Sequence, residues 1–209
     1  MADERRTVGN LLALAVLAYL TQGPMHPYEL GRTLQHNGDA RSIKYRHASL
    51  YMVVDQLARA GLVVPTESVK DGARPERTVY ALTDAGRVEL NAWLRDLLAR
   101  PHHEHPRFVA ALSLVAALPP DDVVQLLGRR LDGLAEQRAE IESAMRQAAE
   151  AGVPALFLVE EEYRLAVLDA EVAFCRRFRE RILDPTTGWR AAWSHEGAPA
   201  DATAGAVTR

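Results

Sequence analysis

From about Val8 to Thr21 the chain runs through "LLALAVLAYL" with almost no polar interruption, the pattern of a helix buried on nearly all sides. Gly23-Pro24 ends it. His26-Pro27 then opens a second helix, "PYELGRTLQ", because proline suits the first helical position, where its missing N–H costs nothing. That helix stops at Asn37-Gly38. A third helix is predicted from about His47 to Ala60, with Gly61 as a left-handed cap. After Gly61 the period shortens. "LVVPTESV" and "RTVYAL" are β-prone runs separated by "KDGARPE", where Asp71-Gly72 and Pro75 mark a loop. Thr83 is a good N-cap, with Asp84 in the first turn, for a helix running to about Arg100.

"PHHEHP" reads as a linker, and the remainder is patterned for helices. After Pro119-Pro120, apolar positions at Val124, Leu127, Leu131, Leu134, Ile141, Met145 and Ala148 follow heptad spacing, interrupted by Arg138. Such a seam requires a partner helix, either from another chain or from the helix after Pro154. That later helix carries Leu156, Val159, Tyr163, Val167, Ala170, Phe174 and Phe178 at helical spacing and ends at Asp184-Pro185. From about Ser194 the chain is small, polar and rich in Ala and Gly, and is expected to be disordered. The expected architecture is mainly α: a winged helix-turn-helix of three helices and a two-stranded wing with its linking helix over residues 1–100, a helical dimerisation or effector domain over 101–185, and a tail over 186–209.

The third helix has two distinct faces. On a wheel of about 100° per residue, Leu50, Val53, Val54 and Leu57 form one core stripe. Ala48, Met52, Asp55 and Arg59 fall opposite, with Ser49 and Gln56 on one flank and Tyr51 on the other. An outer face of small or unbranched residues near the helix N-terminus suits docking into a groove. In a helix-turn-helix, the second helix of the motif enters the major groove with its N-terminal residues at base edges.

Charge sharpens this picture. The whole chain carries a net charge of −3, but residues 1–82 carry +2 and the rest −5. Arg41, Lys44, Arg46 and His47 precede or open the third helix, and Lys70, Arg74 and Arg77 surround the loop between the strands. These are the two places where such a fold would meet phosphates. Ser49 can bond a base or phosphate, Ala48 and Met52 can meet a thymine methyl, and Gln56 can reach a base edge. Tyr51 either joins this surface or packs at the domain edge. The alternative from another class is a winged-helix protein-interaction module that binds no DNA.

Other chemistries find little support. The chain has no phosphate-cradling glycine loop, no G-x-S-x-G elbow and no H-E-x-x-H, so no enzyme is expected. The lone Cys175 cannot form an internal disulfide, and a reducing, cytoplasmic location is expected. His102, His103 and His105 cluster in the linker without the ligand set of a structural metal site, so no metal or cofactor is expected. Arg5-Arg6 before an apolar run imitates a secretory signal. No small-residue cleavage site appears after Leu20, and the run is shorter than the ~20 residues that span a bilayer.

The pieces "LLALAVLAYLTQGPMHPYELGRTL", "ASLYMVVDQLARAGLV" and "RTVYALTDAGRVEL" together resemble the PadR-like transcriptional regulators over most of residues 10–90. Met52-Val53 departs from the proline or alanine that often comes after the tyrosine in relatives. The resemblance implies a homodimer, usually a repressor, whose wings and recognition helices engage a roughly palindromic stretch of double-stranded DNA. It also implies response to a small aromatic or drug-like molecule, and a C-terminal helical domain that supplies dimer contacts. Trp93 is similar in position to an aromatic that some small members present to a ligand; packing in the core or at an interface is the simpler role for it.

Overall fold

A computed structural model describes residues 10–43, 46–69 and 77–196. The chain divides into two compact units, Met1–His103 and Glu104–Arg209.

The first unit opens with α1 (Leu11–Tyr19), capped by Asn10, whose side chain accepts the Ala13 N–H at 2.9 Å. Ala13 through Leu17 are all buried, as an apolar run with no polar face requires. In α2 (Pro27–His36), His26 Nδ1 accepts the Tyr28 N–H and Glu29 accepts the His26 N–H, each at 3.0 Å. Reciprocal bonds of this kind satisfy donors that a helix start leaves open. A 3-10 turn over Asp39–Arg41 leads towards α3 (His47–Arg59). Helix α3 packs on both α1 and α2, and α4 (Asp84–Ala99) packs on α1.

Between α3 and α4 lie β1 (Val63–Val69) and β2 (Arg77–Leu82), antiparallel, with Val63 opposite Leu82 and a register irregularity between Thr66 and Val69. Met25 adds an isolated bridge on the other side of β2, exchanging both backbone bonds with Tyr80 at 3.0 Å. Tyr80 thus directs its backbone groups towards Met25. Pro65, which faces Tyr80 from β1, is tolerated without a donor N–H. The chain reaches β1 through Gly61, whose φ of +71° is the left-handed conformation that glycine adopts without strain.

The second unit contains α5 (Arg107–Ser113), a 3-10 turn at Val115–Ala117, α6 (Pro120–Glu150), α7 (Val159–Leu183) and α8 (Trp189–Glu196). Helices α6 and α7 pair antiparallel along the heptad seam, burying Val123, Leu127, Leu134 and Ile141 from α6 with Cys175, Phe178 and Ile182 from α7. The seam therefore closes within the chain. Polar side chains fix its register: Arg130 bonds Glu171 at 2.5 Å, and Arg138, the interruption in the heptads, bonds Asp169 at 3.0 Å while Glu142, one turn on in α6, holds it at 2.6 Å. These carboxylates raise the Arg138 pKa above its ordinary value, with the Asp169 hydrogen bond the leading cause. Arg130 also lies 3.6 Å from the Phe108 ring centroid, joining α5 to the hairpin.

Helix α8 occupies the first part of the tail expected over 186–209. Trp193 packs on the core and donates its indole N–H to the Leu118 carbonyl at 2.9 Å, and Arg190 pairs with Asp121. Two tryptophans on an eight-residue helix outweigh the poor composition around them. The distal part of that tail, 197–209, lies outside the described residues.

Candidate nucleic-acid interface

The site rests on the division of α3 into two faces. Leu50, Val53, Val54 and Leu57 are at most 4% exposed and form the centre of the first unit's core with Leu17, Leu30 and Leu34. At about 25 cal/mol per Å2 of apolar surface, each such side chain contributes roughly 1.5–3 kcal/mol, so the orientation of α3 about its own axis is strongly fixed. Ala48, Met52, Asp55, Gln56 and Arg59 are thereby turned outward. Met52 is 59% exposed, and nothing in the fold requires a large apolar side chain there.

The other candidates divide into those brought to this surface and those elsewhere. Arg46 is the N-cap residue of α3 and is exposed, and Arg41, also exposed, ends the 3-10 turn that leads to it. His47 begins α3 and Arg77 begins β2. Lys44, Lys70 and Arg74 lie outside the described residues. Ser49 is half-buried, lining a recess with Asn10, Leu12, Ile43 and Val53, and so belongs more to the α1 side than to the outer face. Asp55, the one acid between Arg41 and Arg59, is paired with Arg59 one turn on, which draws its charge towards the far end of the helix.

Tyr51 combines the two positions expected of it. Its ring meets the His26 imidazole edge-on, with centroids 6.3 Å apart and planes at 74°, yet the side chain is 47% exposed. The contact brings the start of α2 beside α3 and adds Tyr28, also exposed, to the neighbourhood. Sequence reasoning missed His26 and Tyr28. Pro27 signals where α2 starts, but only the packing of α2 on α3 shows what that start adjoins. Trp93 is 4% exposed and lies in the core of the first unit with Leu90. Among the described residues, no group of three or more His, Cys, Asp or Glu side chains is placed to hold a metal ion, and no helix is long and apolar enough to cross a membrane.

Three helices, a bridging residue, a two-stranded wing and an exposed outer face on the third helix meet in one compact unit, and residues 16–92 match the model of the transcriptional regulator PadR-like family. Residues 16–92 form a PadR-like domain. The likeness extends into the helical half. Bacillus subtilis PadR in complex with operator DNA is 18% identical, with a TM-score of 0.66 over 82% of this chain and 97% of that one. The same regulator in complex with p-coumaric acid is 16% identical, with a TM-score of 0.65 over 88% and 99%. A PadR-like transcriptional regulator from Bacillus cereus is 14% identical, with a TM-score of 0.57 over 82% and 97%. At these identities the likeness establishes a shared PadR winged-helix fold with a C-terminal helical region. No curated protein matches the chain.

Proposed function

We propose that the protein is a cytoplasmic DNA-binding transcriptional regulator, a repressor that binds a roughly palindromic operator as a homodimer and is released by a small molecule. The observation that carries this reading is α3: a helix locked by its buried stripe, presenting Ala48, Met52 and Gln56 outward behind the cations Arg41 and Arg46. The basic side chains, with Lys44, His47, Lys70, Arg74 and Arg77, are assigned to phosphates, and Ala48, Tyr51, Met52 and Gln56 to the groove, with the half-buried Ser49 at its edge. A protein-interaction module would have little use for cations at both the α3 approach and the wing.

The homodimer reading is supported by a second apolar face on α7. Val159, Tyr163, Val167 and Phe174 are exposed, Tyr163 to 72%, and recur at helical spacing about a quarter turn from the buried Cys175 and Ile182. A stripe of that length suits an identical helix, and a two-fold dimer accounts for an operator with two half-sites. Response to a small molecule is supported by the relative bound to p-coumaric acid. Such a molecule must bind more weakly when DNA is present if it lowers affinity for DNA.

The deciding experiment is fluorescence anisotropy with the duplex upstream of the protein's own gene, across a salt series and alongside light scattering. Binding by a dimer is expected, with log K falling by about 0.9 per phosphate contact for each decade of salt. Arg46→Ala should flatten that slope for every sequence, whereas Gln56→Ala should change base preference by about 1–3 kcal/mol at one position. Absence of salt-sensitive binding would overturn the reading in favour of a protein-interaction module.

A further inference from the structure

One phenol oxygen joins three elements of the first unit. Tyr19, the last residue of α1, donates its O–H to the Asp39 carboxylate, and the same oxygen accepts from Asn37 Nδ2 at 2.8 Å. Asn37 is the C-cap of α2, and Asp39 begins the 3-10 turn on the way to α3. Gly38, between them, has a φ of +75°, a conformation with no side chain to restrain it.

Asp39 also organises the turn up to Ile43. Its backbone carbonyl accepts the N–H groups of Ser42 at 2.9 Å and Ile43 at 2.7 Å, and the Gly38 carbonyl accepts that of Arg41 at 3.1 Å. The hydrogen bonds of the turn thus return to Gly38 and Asp39, and the position of Arg41 depends on where Asp39 is held. A phenol donating to a carboxylate makes a charge-assisted bond, stronger than one between neutral groups. The helix end that provides it is fixed by the buried residues of α1.

We infer that Tyr19 is a positioning residue for the DNA interface: through Asp39 and Asn37 it fixes the connector that presents Arg41 to a backbone phosphate. The inference rests on the regulator reading above. Tyr19 belongs to a different helix from the recognition helix, yet it bears on that helix's approach by holding the start of the connector that leaves α2, at Asn37 and Asp39. Its role differs from that of Arg41 itself, which would touch the DNA.

The test uses the full-length protein and its Tyr19→Phe, Asp39→Ala and Asp39→Asn variants. Each is measured against the same upstream duplex across a salt series, with amide hydrogen exchange on the free proteins. Tyr19→Phe and Asp39→Ala should weaken DNA binding about 5- to 10-fold, the worth of roughly one hydrogen bond. They should also flatten the salt slope by about 0.9 per protomer, the loss of one phosphate contact. Asp39→Asn still accepts the phenol proton and should keep the wild-type slope. Combined with Arg41→Ala, Tyr19→Phe should add nothing further to the slope, because both remove the same contact. Exchange at Arg41, Ser42 and Ile43 should accelerate in Tyr19→Phe. A lowered melting temperature with an unchanged salt slope, or Asp39→Asn behaving like Asp39→Ala, would overturn the inference. If wild-type protein shows no salt-sensitive binding, the regulator reading fails by itself, and the exchange rates still decide whether Tyr19 holds the connector.

Discussion

Gly86 stands where the wing, the end of α3 and the start of α4 converge, and replacing it with alanine should loosen all three. A Cβ built on Gly86 meets the Leu62 carbonyl oxygen at 2.0 Å and Leu82 Cδ1 at 2.7 Å. The leucine side chain can turn aside, but the carbonyl is held: it accepts the Thr83 N–H at 3.1 Å and shares the Thr83 hydroxyl proton, at 3.0 Å, with the Gly61 carbonyl at 2.8 Å. Thr83 in turn caps α4 by accepting the Gly86 N–H at 3.0 Å, so the added methyl pushes against the group that anchors its own cap. Overpacking of this kind costs about 1–3 kcal/mol and a displaced hydrogen bond about 1, against roughly 1 returned because alanine is the better helix former. The net expectation is a loss of about 1–3 kcal/mol.

Urea unfolding with an unchanged m-value measures this loss, and hydrogen exchange locates it. Peptides spanning residues 61–93 should lose protection in Gly86→Ala, while those from 160–182 should not change, because the second unit has its own core. Gly128→Ala is the matched control. Gly128 is also helical, but nothing lies within 4 Å of its added Cβ, so the substitution should stabilise by about 0.5–1 kcal/mol. A Gly86→Ala protein as stable as wild type would refute the claim that Leu62, Thr83 and Gly86 form a rigid junction.

Charge and burial lead to two more outcomes. Asp55→Ala removes an exposed ion pair worth about 0.3–0.5 kcal/mol and the only acid between Arg41 and Arg59, so DNA affinity should rise about 2- to 5-fold at low salt and the gain should fade as salt increases; a loss of affinity in anisotropy titrations would count against α3 as the DNA-facing helix. Cys175 is fully buried, and burial first, then the Glu171 carboxylate, push its thiol above the ordinary range. Its reaction with an aromatic disulfide should be slowed at least about a thousandfold relative to the urea-unfolded chain. Since the unfolded thiol ionises first, its contribution to stability is complete below the ordinary thiol pKa and declines as pH rises past it; a prompt native reaction would show that the α6–α7 core opens locally.

The elements legible in the sequence are those whose local pattern and tertiary role agree. The α3 stripe of Leu50, Val53, Val54 and Leu57 is buried as its spacing predicts, and β1, β2 and the Thr83 cap fall where turn chemistry places them. The two hidden helices, α5 and α8, are short and weakly patterned. Each exists because aromatic side chains reach a core assembled by other elements, Phe108 beneath Arg130 and Trp193 beside Phe178. Met25 was invisible for a related reason, since a single-residue bridge has no period.

The same distinction explains what was legible in the candidate site. A face can be read from spacing, so Met52 and Gln56 emerge from the wheel, and a cationic approach can be read from composition. A neighbour cannot. His26 against Tyr51, Ser49 turned towards Ile43, and the Tyr19 phenol joining Asn37 to Asp39 each connect residues on different elements. Helix α7 shows why this matters for function. Its apolar positions form one pattern in sequence, yet Phe178 enters the core while Val159, Tyr163 and Val167 remain exposed. A single helix thus carries two apolar surfaces, and the heptad seam of α6 accounts for only one of them. The other, at Val159, Tyr163 and Val167, faces outward, and it is this stripe, rather than the heptad seam, on which the proposed dimer rests.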